Sequence, residues 1–224
     1  MTTTTDTALS IVDLSDLSDL DLSTVELEVL AEARWPGADP SAQPAPLPGF
    51  VSSSFAPLIA QAADDCLSQV HGSAPAPAER GDRTAVVVVS VRGDLGTSTA
   101  VAAAVDAGKR MPPILFFQSV VNSAAGRVAV TWGLRGPVVC TSPVADPVAD
   151  AVAVADLLIA DEAADEVLLV LVEQGAEEAR ALLLGRAAAP LTGTAPTSTA
   201  LTGTAPTGTA STGAAPTNEQ RSSQ

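Results

Sequence analysis

Between Pro147 and Ala160 the sequence reads PVADAVAVADLLIA, a run whose only polar side chains are Asp150 and Asp156. On a helix turning 100° per residue these two stand roughly 120° apart, and most of the circumference is apolar. Such a helix is normally covered on more than one side. A single sheet within a domain of about 140 residues covers one face and leaves little material for the other. Two readings follow. Either the alanines tolerate exposure, or a second sheet, from another chain, packs here.

The segments around this run alternate between strand and helix patterns. Ser54 followed by Pro57 starts a helix, and Leu58, Ile59, Ala62, Cys66, Leu67 and Val70 recur at three- and four-residue steps up to Gly72. The run TAVVVVSV then predicts a strand over 85–91, buried on both faces. Gly93 and Gly96 turn the chain, and Thr97 or Ser98 caps a helix running to about Ala107. A further helix is expected from about Asn122 to Trp132, stopped by Gly133. Strands follow at VVCTS and at 167–172, VLLVLV, on either side of the 147–160 helix. This order predicts an α/β fold with a mostly parallel sheet flanked by helices.

The folded part is expected at 49–188. Residues 1–50 hold nine acids and one arginine, and Pro36, Pro40, Pro44, Pro46 and Pro48 follow one another, so 1–48 reads as an acidic, Pro-rich, largely disordered leader. Its DLSDLSDLDLS run is either a solvated stretch or a docking segment that orders on a partner. From Leu191 the sequence repeats LTGTAPTSTA, LTGTAPTGTA and STGAAPT, and 189–224 reads as a disordered Thr/Ala/Pro/Gly tail.

Charge and composition remove several function classes. A formal charge of −15 argues against a phosphate-neutralising surface, so no nucleic-acid partner is expected. There is no signal-like start and no membrane-length apolar run, which points to a cytoplasmic protein without a membrane partner. Cys66, Cys140 and the single histidine, His71, cannot complete a four-ligand zinc site, and no residue set calls for a cofactor. RGDLGTS lacks the Lys-Ser/Thr ending of a phosphate-binding loop. His71 reads as a helix-terminal residue, Cys140 as an inert thiol in an apolar strand, and Asp64-Asp65 and Asp161-Glu162 as solvated helix ends. No complete catalytic constellation emerges.

Residues 120–142, VVNSAAGRVAVTWGLRGPVVCTS, resemble the β-ketoacyl synthase family. Asn122, Ala125, Gly126, Gly133, Leu134, Gly136 and Pro137 stand at the family's steps. LPGFVSSSFAPLIAQAADDCL at 47–67 and ADEVLLVLVE at 164–173 resemble a divergent, chain-length-factor-like group of its N-terminal domains, and the likeness covers about 25–188. It implies a thiolase-like half-domain. It also places the family's nucleophile at Ala145, whose methyl cannot form an acyl thioester, while Cys140 comes five residues early. Val170 and Leu171 replace a glycine pair, although Glu173 fits the family's acid. The histidines that support decarboxylation come from the family's second half, which this resemblance does not cover.

The resemblance therefore implies a catalytically silent ketosynthase-like subunit in polyketide or fatty-acid-type biosynthesis. It would work as a homodimer or as a heterodimer with a ketosynthase-like subunit, with an acyl carrier protein as a further partner. Two alternatives stay open. One is acyl transfer or condensation with Cys140 as nucleophile and histidines donated by another chain. The other is an acyl-chain binder using the space around Ala145.

Overall fold

The computed structural model describes residue 22 and residues 25–143 and 146–187. The chain divides into two units between Ala188 and Ala189, and the second unit lies outside the described residues, as do Ala145 and residues 1–21, 23 and 24 of the acidic leader. In the first unit one five-stranded sheet runs β1 (Leu27–Trp35), β5 (Glu178–Arg186), β4 (Glu166–Glu173), β2 (Thr84–Val89), β3 (Val138–Thr141) across its width. β3, β2 and β4 are mutually parallel, and β5 is antiparallel to both β4 and β1.

The α/β architecture with flanking helices is as expected, but the sheet is mixed. Two of its four pairings are antiparallel, and both involve β5, which like β1 has no evident strand pattern. One corrects the expected domain boundary. β1 lies within the stretch assigned to a disordered leader, yet Leu27 and Ala31 are buried and the strand pairs with β5 from Leu27↔Arg186 to Trp35↔Ala179. The folded unit therefore begins well before residue 49.

The helices form the outer layers. On one face α1 (Phe55–His71) and α5 (Val121–Trp132) pack on Val86, Val88, Leu168, Val170 and Leu183. On the other, α6 (Pro147–Ala160) packs Ala151, Val152, Ala155 and Ile159 on Val87, Val89, Leu169, Leu171 and Leu182. Connectivity accounts for the split. From β2 the chain moves one way to β3 through α3 (Leu95–Asp106), α4 (Pro113–Gln118) and α5, then back over β2 to β4 through α6. Crossovers of one hand running in opposite directions place their helices on opposite faces. The short α2 (Ala78–Gly81) precedes β2.

Candidate functional site

Where strand order reverses, the carboxyl ends of parallel strands open a crevice, the usual place for a site in such a sheet. Here that place is bounded by Ser90 after β2, Thr141 and Ser142 at the end of β3, the start of α6, and Glu173 at the end of β4. Asp146 caps α6, accepting from the Val148 and Ala149 amides at 3.1 and 3.0 Å. The crevice lined by Ser90, Pro147 and Glu173 encloses about 10 Å³, room for one water at most.

The polar groups nearby satisfy one another. Asp94, buried, accepts from the Thr97 amide at 2.8 Å, the Thr97 hydroxyl at 2.7 Å and the Ser53 hydroxyl at 2.6 Å. It is therefore Asp94, rather than Thr97 or Ser98, that caps α3, and its carboxylate occupies the amides a phosphate would need. Gln174 accepts from the Gly96 amide at 3.0 Å and donates to Ser53 and Ser54. The Gly96 Cα lies so close that a Cβ there would be 2.8 Å from the Ser53 hydroxyl. Glu173, buried as β4 ends, accepts from Arg92 at 2.8 Å and from the Gly175 amide at 3.0 Å. Val170 and Leu171, where the resemblance leads one to expect a glycine pair, are fully buried on the two faces of β4.

The candidate nucleophile and the histidine lie apart. Cys140 is half-buried in β3 opposite Val88, and burial pushes its thiol up to about 11. His71 ends α1 beside Trp132, with ring centroids 6.4 Å apart, and feels the charges of Arg80 and Glu166 at the amino ends of β2 and β4. Val88 is four residues beyond Thr84, the partner of Glu166, which is about 13 Å at the strand rise. No imidazole is placed to deprotonate Cys140. Asp64, expected to be merely solvated, accepts the Trp132 indole N–H and ties α1 to α5. Among the described residues no three His, Cys, Asp or Glu side chains gather as a metal site would require.

The family motif has a structural reading. Gly133, at φ 70°, caps α5 in the left-handed region that favours glycine, and the Leu134 amide returns to the Ala129 carbonyl at 2.9 Å. Gly136 then crosses β2 at backbone contact, its amide donating to the Thr84 carbonyl at 3.1 Å. The profile described as "Beta-ketoacyl synthase, N-terminal domain" matches residues 66–221.

The chain belongs to the β-ketoacyl synthase family, through that N-terminal domain.

The family match runs past Ala188 into the repeat segment. No curated protein matches this β-ketoacyl synthase-family chain. Among solved structures, it is similar to a ketosynthase (ApeO) in complex with its chain length factor (ApeC) from Xenorhabdus doucetiae, at 19% identity and TM-score 0.56, over 73% of this chain and 80% of that one. The ishigamide ketosynthase/chain length factor follows at 20% identity and TM-score 0.52, over 68% of this chain and 49% of that one. A β-ketoacyl synthase from Burkholderia phymatum STM815 follows at 18% identity and TM-score 0.50, over 67% and 46%. The chain thus spans about half the length of the last two. These likenesses establish the ketosynthase-type, thiolase-like fold. No helix among the described residues is long and apolar enough to cross a membrane.

Proposed function

We propose that this chain is a catalytically silent ketosynthase-like subunit of a polyketide or fatty-acid-type pathway, pairing with itself or with a ketosynthase partner. The observation that carries the reading is the outer face of α6. Ala149, Ala153, Leu157 and Ala160 are exposed on it, and Leu157 is 58% exposed. Between this face and the end of β3 lies a groove of about 410 Å³, in which Pro143, Ala153, Val154 and Leu157 form the apolar wall and Thr141, Ser142 and Asp150 the polar rim. The Thr141 hydroxyl is enclosed there without a hydrogen-bond partner. A stripe of alanines with one leucine lets another helix approach closely, and the sheet beneath ends at β3.

Silence rests on chemistry. The resemblance places the nucleophile at Ala145, and the one cysteine nearby is held as a protonated thiol with no base beside it. Two structural neighbours combine a ketosynthase with a chain length factor, which favours a ketosynthase-like partner over self-pairing alone. The deciding experiment is light scattering on the purified chain, alone and co-expressed with a ketosynthase encoded beside it. A stable dimer or heterodimer is expected. A monomer under both conditions, at concentrations well above micromolar, overturns the subunit reading. Stoichiometric acylation of Cys140 by an acyl-carrier-protein mimic would replace it with the condensing alternative.

A further inference from the structure

Between β2 and α5 the chain carries an apolar surface that pairing through α6 leaves uncovered. α3, rich in alanine and valine, buries only Thr97, and Val105 near its end is 62% exposed. α4 continues the surface with Ile114, Phe116 and Phe117, of which Phe116 is 72% exposed. The segment is nevertheless anchored. Asp94 and Gln174 hold the start of α3, Leu115 and Gln118 are buried, and the Gln118 amide donates to the Gly49 carbonyl at 2.5 Å. Aromatic side chains held outward on an anchored element mark a contact surface. Its charge points the same way. Among the described residues every arginine except Arg110 and Arg127 has an acidic partner within 4.0 Å, and the chain's single lysine, Lys109, has none. Lys109 and Arg110 stand just before α4, so in a chain of charge −15 unpaired cations adjoin the exposed phenylalanines.

The same chain holds a segment of complementary kind. Residues 11–23, IVDLSDLSDLDLS, have four aspartates, four leucines and no cation. At the end of this segment Leu22 packs on the cluster beneath α6, and its carbonyl accepts from the Val25 amide at 3.1 Å. β1 then starts at the end of the sheet where β2 and β4 also start. α4 lies at the other end, beyond the Ser53–Gln174 contact, and on the other face, where the Phe117 and Phe50 ring centroids are 5.9 Å apart. Leu14 is eight residues before Leu22, a reach of at most about 28 Å, while the eight residues of β4 alone cover about 26 Å. A leader therefore cannot lay its leucines on its own α4. Two-fold pairing through α6 with the helices antiparallel sets the start of each leader against the α3–α4 end of the other copy.

We propose that the two copies exchange leaders: residues 11–22 of each dock on the α3–α4 surface of the other. The leucines cover Val105, Phe116 and Phe117, and the aspartates face Lys109 and Arg110. The inference rests on the self-pairing form of the proposed function and adds a second contact to it. Apolar burial supplies the affinity, and the match of charge sets the direction in which the leader lies.

Docking and pairing are separated in the full chain carrying Leu157→Glu, which the pairing reading makes monomeric. A fluorescent peptide of residues 11–23 should bind this chain saturably in the micromolar range, read by anisotropy, and more weakly as ionic strength rises. Phe116→Ser should weaken binding by about tenfold. Should that variant fail to fold, Lys109→Glu on the exposed loop should weaken it instead. The exchange is read in the native chain. Zero-length carbodiimide coupling of mixed light and isotope-labelled chains should join Lys109 of one chain to Asp16 or Asp19 of the other. Absence of peptide binding, or binding that survives both variants, overturns the proposal and leaves the α6 reading standing. Binding no tighter than that of a scrambled peptide means that the surface takes acidic chains in general, a partner subunit's among them, and overturns its assignment to the leader. A paired native chain whose Lys109 couples only within its own chain overturns the exchange. A monomeric native chain overturns exchange and self-pairing together, even where the peptide binds.

Discussion

A Cβ placed on Gly136 would stand 2.6 Å from both the carbonyl carbon and the oxygen of Thr84. The loop after α5 thus crosses the first residue of β2 at a distance only glycine allows, and Gly136 aligns β3 by returning its amide to that carbonyl. The obstructing atoms are backbone, so no side chain can move aside. Gly136→Ala should lower stability by about 1–3 kcal/mol, the range for forced overpacking, as read from chemical denaturation. Wild-type stability in that variant would mean that the β2–β3 crossing is looser than the contact implies.

Leu157 tests the interface separately from the fold. Since it is exposed on α6, Leu157→Glu should leave the stability of the isolated unit within about 0.5 kcal/mol. If α6's outer face is covered by another subunit, the same change should shift the oligomer to monomer in light scattering. A dimer of unchanged strength would place the contact elsewhere.

Both thiols should resist alkylation in the folded chain. Burial drives Cys66 up to about 12 and Cys140 up to about 11. At pH 8 the thiolate of Cys140 is then roughly 10²-fold scarcer than for an ordinary cysteine, and iodoacetamide labelling should slow in proportion. Denaturant should restore labelling at both sites. Rapid reaction of Cys140 without denaturant would revive it as a nucleophile.

His71 makes stability depend on pH. Burial lowers the affinity of its ring for a proton, the Arg80 charge adds to this and Glu166 only partly opposes it, while both ring nitrogens lack partners. The unfolded chain therefore takes up a proton before the folded one does as pH falls. Its contribution is complete above the unfolded value of about 6.5 and is lost as pH drops through the lower folded value. Urea midpoints should fall between pH 7.5 and 5.5, and His71→Gln should flatten that slope. A midpoint that rises on acidification would show that Glu166 dominates the site.

Much of the parallel core was legible because its patterns are local. The apolar runs gave β2, β3 and β4 to within two residues. Gly72, Gly133 and Pro147 mark where α1 and α5 stop and where α6 starts. At the candidate site, Cys140 does lie in an apolar strand, though half-buried, and His71 does end a helix. The capping role of Asp94 was missed, although an Asp just before a helix is itself a capping signal. The Asp64 contact with Trp132 joins residues 68 apart, and nothing in either helix announces it.

The sequence alone determined the family, the three parallel strands and a helix apolar around most of its circumference, because these depend on side-chain type and spacing along the chain. Tertiary structure decided the rest. LEVLAEARW and EARALLLGR are rich in Ala, Leu, Glu and Arg, which favour helices, yet they become β1 and β5 because each supplies the other's hydrogen-bonding edge and β4 supplies a third. That pairing moved the domain boundary back to Leu27 and left Arg180 buried beside a cavity. Neither outcome is written in a local pattern, because each requires segments about 150 residues apart in the chain to meet.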